Sequence, residues 1–226
     1  MTKISVIIPA CNEEKYIAKT LDSLRKQTMT YFETIVVCNG CTDRTNAIAK
    51  KYHAQVLELE KAQVSQARNL GAQHSSGELL VFLDADTMLE PDALEKIRRG
   101  FREEYAVATT ILQPDQSKIH YDLAIAFKNF YNQQQWYEGC SGVLVCRKRD
   151  FVTVGGYDAS LKVREHRKLI LQLKKLGKYK TITTTATTSM RRYDQWGIPK
   201  IFSFWTRQWV KDHFSDLSKS EYKVIR

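Results

Sequence analysis

Gly77-Glu78-Leu79-Leu80-Val81-Phe82-Leu83-Asp84-Ala85-Asp86-Thr87 holds the most hydrophobic strand-like run of the chain, and that run ends abruptly in two carboxylates. Five consecutive apolar residues between a glycine and an acidic pair read as a buried strand. Carboxylates stranded there are costly unless something cationic satisfies them. The one-residue spacer lets one carboxylate face a divalent metal while the other accepts ribose or sugar hydroxyls. Oxygen ligands of this kind suit Mg²⁺ or Mn²⁺, with a nucleotide diphosphate supplying further ligands. The plainer alternative is an N-cap cluster ahead of Pro91.

Upstream, residues 4–8 (ISVII) form another buried strand, halted by Pro9. Residues 13–26 carry Ile17, Leu21 and Leu24 at helical spacing, with Asn12 as N-cap. Residues 34–37 are a strand ending at the turn Asn39-Gly40, after which Thr42 or Asp43 caps a helix reaching Tyr52. A weaker strand at 56–59 and a helix at 65–73 lead back to the quoted stretch. This strand–helix alternation predicts a parallel, doubly wound sheet. Ligands of such sheets bind outside the carboxyl ends of the strands, so residues 9–13, 38–43 and 84–87 should meet at one crevice.

Downstream the pattern loosens. Pro91-Asp92 opens a helix to about Glu103, and 107–112 read as a strand. Residues 119–137 read as a long aromatic-rich helix and 141–146 as a strand. A basic helix at 164–176 closes at Gly177, and 179–188 form a threonine-rich strand. With no internal repeat and no linker rich enough to divide it, the chain is expected to be one domain over residues 1–226.

At 43% hydrophobic and 27% charged, the composition is that of an ordinary globular protein. No apolar run reaches the roughly 18–20 residues of a spanning helix, and the N-terminal residues enter a strand pattern without a signal peptide, so the cytoplasm is the expected compartment. The five cysteines are odd in number; Cys38 and Cys41 have CxxC spacing, but Cys140 and Cys146 do not supply a matching second pair. Small thiols in a reducing compartment are the expectation. A net charge of +10 calls for an acidic partner. No nucleic-acid motif accompanies it; diphosphate substrates and an anionic membrane surface would use the same field.

ISVIIPACNEE (4–14), TIVVCNGCTDRT (34–45), ARN (67–69) and GELLVFLDADT (77–87), in this order and spacing, resemble the family 2 glycosyltransferases of GT-A fold. GGYDASL (155–161) and the helix after it match an acceptor-side segment. The resemblance implies an α/β fold, a doubly wound, mostly parallel sheet flanked by helices. It divides the chain into a donor half, 1–103, and an acceptor half, 104–226. By the same resemblance Pro9, Ala10 and Cys11 line the nucleoside, with Cys11 where an aromatic is common. Glu13 meets the ribose, and Asn39 sits where a base-reading acidic residue is frequent, beside Cys38 in place of an aspartate. Asp43 organises its loop, Arg68 lies near the donor, Asp84 and Ala85 bind the ribose side, and Asp86 binds the metal.

In similar enzymes GGYD is followed by an acidic pair whose aspartate is the catalytic base. Here the pair is Glu165-His166, and either can act, since a base needs reach first and a suitable pKa second. Neighbouring Arg164, Arg167 and Lys168 are expected to push down the pKa of both; the alternative is that both merely cap a helix. Arg191-Arg192, expected in a loop, suit a diphosphate that gains charge as the sugar leaves, or are solvated surface charges. His213 is a candidate third metal ligand or a structural histidine. Trp196, Phe202, Phe204, Trp205 and Trp209 interleave with Lys200, Arg207 and Lys211. That segment either docks on a membrane to meet a lipid-linked acceptor or packs on the core.

The implied reaction moves a hexosyl unit from a nucleoside diphosphate sugar to an acceptor hydroxyl, with inversion and metal assistance. The alternatives are a nucleotidyltransferase and a non-catalytic sugar-nucleotide or membrane-binding module.

Overall fold

The computed structural model describes residues 2–135, 140, 142–161 and 163–214. Its first half runs β1 (Ile4–Ala10), α1 (Ile17–Arg25), β2 (Phe32–Asn39), α2 (Thr45–Lys51), β3 (Gln55–Leu59), α3 (Val64–His74) and β4 (Leu79–Leu83). These four strands lie parallel in the order β3-β2-β1-β4. From β1 the chain winds outward to β3, then returns to lay β4 on the other side of β1. The carboxyl ends of β1 and β4 therefore flank a topological switch point, where a doubly wound sheet opens a crevice for ligand.

Residues Ile4 to Ile8 are all buried, with Val6 and Ile8 packed toward Ile17, Leu21 and Leu24 of α1 and Ile7 toward Ala72 of α3. Helices on both faces are why the strand reads as an unbroken apolar run. Pro9 does not halt it: Pro9 pairs with Val37, and β1 continues to Ala10. The ladder to β4 ends at Ile7–Phe82, so the missing N–H of Pro9 falls beyond it. α3 approaches β1 through Gly71, where an added Cβ would lie 2.4 Å from Cγ2 of Ile7.

The second half runs β5 (Thr87–Leu89), α4 (Ala93–Gly100), β6 (Tyr105–Pro114), α5 (Ile119–Gln133), β7 (Val143–Arg147), α6 (Lys148–Thr153), α7 (Glu165–Leu173), β8 (Lys178–Thr188), α8 (Arg191–Trp196) and α9 (Ile198–Phe214). β7 pairs antiparallel with both β4 and β6, β8 lies parallel to β6, and β5 closes the order antiparallel to β8. The parallel half is as expected; the remainder is mixed. β5 follows β4 after only Asp84, Ala85 and Asp86, yet stands at the opposite end of the strand order. The sheet must curl until Thr188 meets Thr87, whose hydroxyls lie 3.2 Å apart.

Two boundaries differ from expectation. Tyr16, not Asn12, precedes α1; Asn12 is left-handed at φ 56° and serves the loops instead. Arg191-Arg192 open the short helix α8 rather than a loop. The expected reach of α5 to Tyr137 lies outside the described residues, as do Ser141 and the side chains of Phe202, Trp205, Trp209, Lys211 and His213.

Candidate active site

The three expected loops meet. Asn12 Oδ1 accepts the backbone N–H of Thr42 at 2.7 Å, and Cys41 Sγ donates to the carbonyl of Ala10 at 3.2 Å. Asp43 accepts the backbone N–H groups of Glu14 and Thr45, each at 3.0 Å. Burial raises the pKa of Asp43, but hydrogen bonds from Thr45 and Glu14 outweigh it and hold the carboxylate below its ordinary range. Asp43 is therefore a loop organiser. Ala85 offers its carbonyl to Thr20 at 2.8 Å, which pins the acidic stretch to α1. Pro9 and Cys11 are half-buried and Ala10 buried along the rim. Asn39 is buried, and its Oδ1 accepts the N–H of Gln63 at 2.6 Å, so that oxygen starts α3 rather than facing a base.

Cys38 and Cys41 hydrogen-bond each other through their thiols. None of the described cysteines is in a disulfide, and among the described residues no three His, Cys, Asp or Glu side chains gather as a metal-binding group. No zinc site of the usual four-ligand kind is built here among those residues.

The acidic cluster lies at the carboxyl end of β4. Burial first, and the adjacent Asp84 second, push the Asp86 carboxyl from its ordinary 3.8 up to about 7, against the pull of Arg191. Arg191 Nη2 stands 3.2 Å from Asp86 Oδ2. The same guanidinium grips Glu13 bidentately, at 2.7 and 2.6 Å, and lies 4.4 Å over the ring of Tyr16. Glu13, expected at the ribose, is thus paired with an arginine expected at the diphosphate. The curl of the sheet explains the meeting: Thr188 pairs with Thr87, and Ser189 donates its N–H to the Asp86 carbonyl at 3.2 Å, so Arg191 follows at once. Burial lowers the pKa of Arg192, with the fields of Asp86 and Asp84 pulling the other way. Beside Asp86 opens a cleft of about 250 Å³ lined by residues including Tyr16, Lys19 and Asp115.

Arg68 joins the two sides. Its Nη2 lies 3.2 Å from Asp84 Oδ1 and its Nη1 2.8 Å from Glu165 Oε1, and its side chain is only 5% exposed. His166 Nε2 is 3.8 Å from the same Glu165 oxygen, and its Nδ1 is 2.9 Å from the Tyr157 hydroxyl. Burial, then Arg68 and Lys128, hold His166 well below its ordinary pKa, and burial keeps Tyr157 a neutral phenol. The expected push from Arg164, Arg167 and Lys168 on His166 is not the cause. Arg164 turns away to the carbonyl of Gln208 at 3.3 Å, and Lys168 pairs with Asp158. Tyr157 and Nδ1 share a hydrogen bond whose direction follows the tautomer of the neutral imidazole. Nε2, at 3.8 Å, lies beyond hydrogen-bonding distance of Glu165.

Three participants escaped the sequence reading. Tyr16 precedes α1 without a motif. Tyr157 stands inside the quoted GGYD segment, which was the available signal. Lys128, whose pKa burial lowers against the fields of Cys140 and Asp84, carried none.

The donor set fits a divalent cation. Two carboxylates, Asp84 and Asp86, stand together at the carboxyl end of β4, and hard oxygens suit Mg²⁺ or Mn²⁺. Asp86 would hold the ion, with most ligands left to phosphate oxygens and water.

Among curated proteins, the chain is 37% identical over 106 residues to the glycosyltransferase GlyA of Streptococcus pneumoniae, covering 45% of this chain and 15% of GlyA. It is 36% identical over 103 residues to the poly(ribitol-phosphate) beta-N-acetylglucosaminyltransferase TarS of Staphylococcus aureus, covering 42% and 18%. The matches therefore span less than a fifth of either relative. Among solved structures, TarS residues 1–349 with UDP-GlcNAc superimpose at a TM-score of 0.67 and 19% identity, covering 98% of this chain and 62% of that one. The mannosyltransferase PcManGT of Pyrobaculum calidifontis, with GDP-Man and Mn²⁺, gives 0.70 at 17% identity, covering 91% and 64%. At those identities the likeness concerns the fold, which is the α/β architecture the resemblance implied. The model of the family described as "Glycosyl transferase family 2" matches residues 5–194, most of the sequence, and the chain belongs to that family.

Proposed function

We propose that the chain transfers a hexosyl unit from a nucleoside diphosphate sugar to an acceptor hydroxyl, with inversion at the anomeric carbon. The observation that carries this reading is the buried Asp86 beside Asp84 at the switch point of the sheet, with Arg191 at 3.2 Å and Arg192 within their field. The bound UDP-GlcNAc of TarS and the GDP-Man of PcManGT support the donor class. Pro9, Ala10 and Cys11 line the nucleoside, Asp84 takes ribose hydroxyls, and the donor half is 1–103. Arg191 and Arg192 face the diphosphate, which gains charge as the bond to the sugar breaks. A divalent cation held by Asp86 would neutralise that diphosphate.

Glu165 takes the proton of the acceptor hydroxyl as its oxygen bonds to the anomeric carbon. The electron pair of the broken bond leaves with the nucleoside diphosphate from the opposite face, which is inversion. Glu165 is preferred to His166 because Arg68 fixes its carboxylate at 2.8 Å, whereas Tyr157 already occupies Nδ1 of the imidazole. The acceptor half, 104–226, is proposed to meet a lipid-linked acceptor at the cytoplasmic face of a membrane. In support, α5 exposes Ile119, Leu123 and Phe127 at 81%, 66% and 62%, spaced along one helix face, and the chain carries a net charge of +10. None of the described helices is long and apolar enough to cross a membrane.

The test is release of nucleoside diphosphate from UDP-GlcNAc or GDP-mannose with Mn²⁺. Asp86→Ala abolishes metal-dependent turnover; near-normal activity in that variant removes the donor-site assignment. Release of pyrophosphate instead would indicate a nucleotidyltransferase, and donor binding without turnover a binding module.

A further inference from the structure

Arg68 carries the most telling geometry outside the roles above. It is 5% exposed, yet it meets two carboxylates from opposite halves of the chain, Asp84 at 3.2 Å and Glu165 at 2.8 Å. Its guanidinium lies 5.2 Å over the ring of Tyr157, and the hydroxyl of that ring fixes His166. Both terminal nitrogens of Arg68 are engaged by carboxylates, and one face of the guanidinium is covered by a ring. Arg68 lies beside Asp84 at the end of β4, and its side chain serves the protein.

We infer that Arg68 is a positioning residue for the transfer step, holding Glu165 in line with the donor that Asp84 receives. This rests on Glu165 as the base. Fixing Oε1 by Arg68 leaves Oε2 to meet the acceptor hydroxyl, and the second fork ties that geometry to the end of β4. A displacement of about 1 Å in a reacting group can cost about 100-fold in rate. The task needs arginine: a planar fork serves two carboxylates and stacks on a ring, whereas lysine is a single point charge.

The variants are Arg68→Ala, Arg68→Lys and Glu165→Gln, assayed for nucleoside diphosphate release from UDP-GlcNAc and GDP-mannose with Mn²⁺, water serving as acceptor. UDP and GDP affinity is measured in parallel by titration calorimetry. Arg68→Ala is expected to lower kcat about 100-fold, with the dissociation constant changed less than about threefold. Added guanidinium restores kcat in Arg68→Ala but not in Glu165→Gln, and equal potassium chloride restores neither. Should Arg68→Ala fail to fold, Arg68→Lys keeps the charge and is expected to show the same split between kcat and affinity. Arg68 variants that turn over like the wild type, or that lose affinity and kcat together, overturn the inference while Glu165→Gln is inactive. An active Glu165→Gln instead overturns the base assignment beneath it.

Discussion

Asp86 is a carboxyl whose useful form is its unfavourable one. On the proposed role a metal would bind the carboxylate, whereas in the metal-free protein burial and Asp84 push the pKa up to about 7. Protons and metal therefore compete: Mn²⁺ affinity is steady above pH 7 and falls about tenfold per pH unit below it. Calorimetric titrations from pH 5.5 to 8 check this, and a flat profile contradicts it. The two carboxylates and their place at the end of a buried strand were legible because strand and acids are contiguous. The company of Arg68 was not: its partners stand 16 and 97 positions away, and no local pattern announces a guanidinium shared between them. His166 shows the same limit. Its neighbours in sequence are cationic, but Arg164 and Lys168 point elsewhere, and the charges that act on it come from α3 and α5.

At the scale of elements, the parallel strands and their helices were readable from period and turn residues alone. β5, α6 and α8 were not, being three to six residues long, too short for a period to show. β5 exists because β8, a hundred residues later, supplies its partner. α3 is held against β1 by the absence of a side chain at Gly71, where a Cβ would meet Ile7 at 2.4 Å. Gly71→Ala is expected to destabilise the fold by about 1–3 kcal/mol through overpacking. Urea denaturation measures it; an unchanged midpoint would mean that α3 and β1 yield freely.

For the molecule as a whole, the proposed membrane contact would draw on both the charge of +10 and the apolar face of α5. The protein is expected to co-sediment with vesicles containing phosphatidylglycerol and far less with pure phosphatidylcholine. Leu123→Glu or Phe127→Glu should weaken that binding at least about tenfold, since each buried side chain is worth about 1.5–3 kcal/mol. Equal retention of both variants would assign the stripe another role. Composition revealed the charge, but only the folded helix shows which apolar residues are left outward.

Glu13 and Arg191 are separated by 178 positions and close on each other in one bidentate grip. During synthesis, a nascent chain emerges with Glu13 and Asp86 already made and their shared guanidinium still unbuilt, whereas Asp84 finds Arg68 made before it. That pair of acids waits for its cation until the ribosome has passed residue 191. Premature termination upstream of that point leaves a polypeptide with most of the sheet and without that clasp.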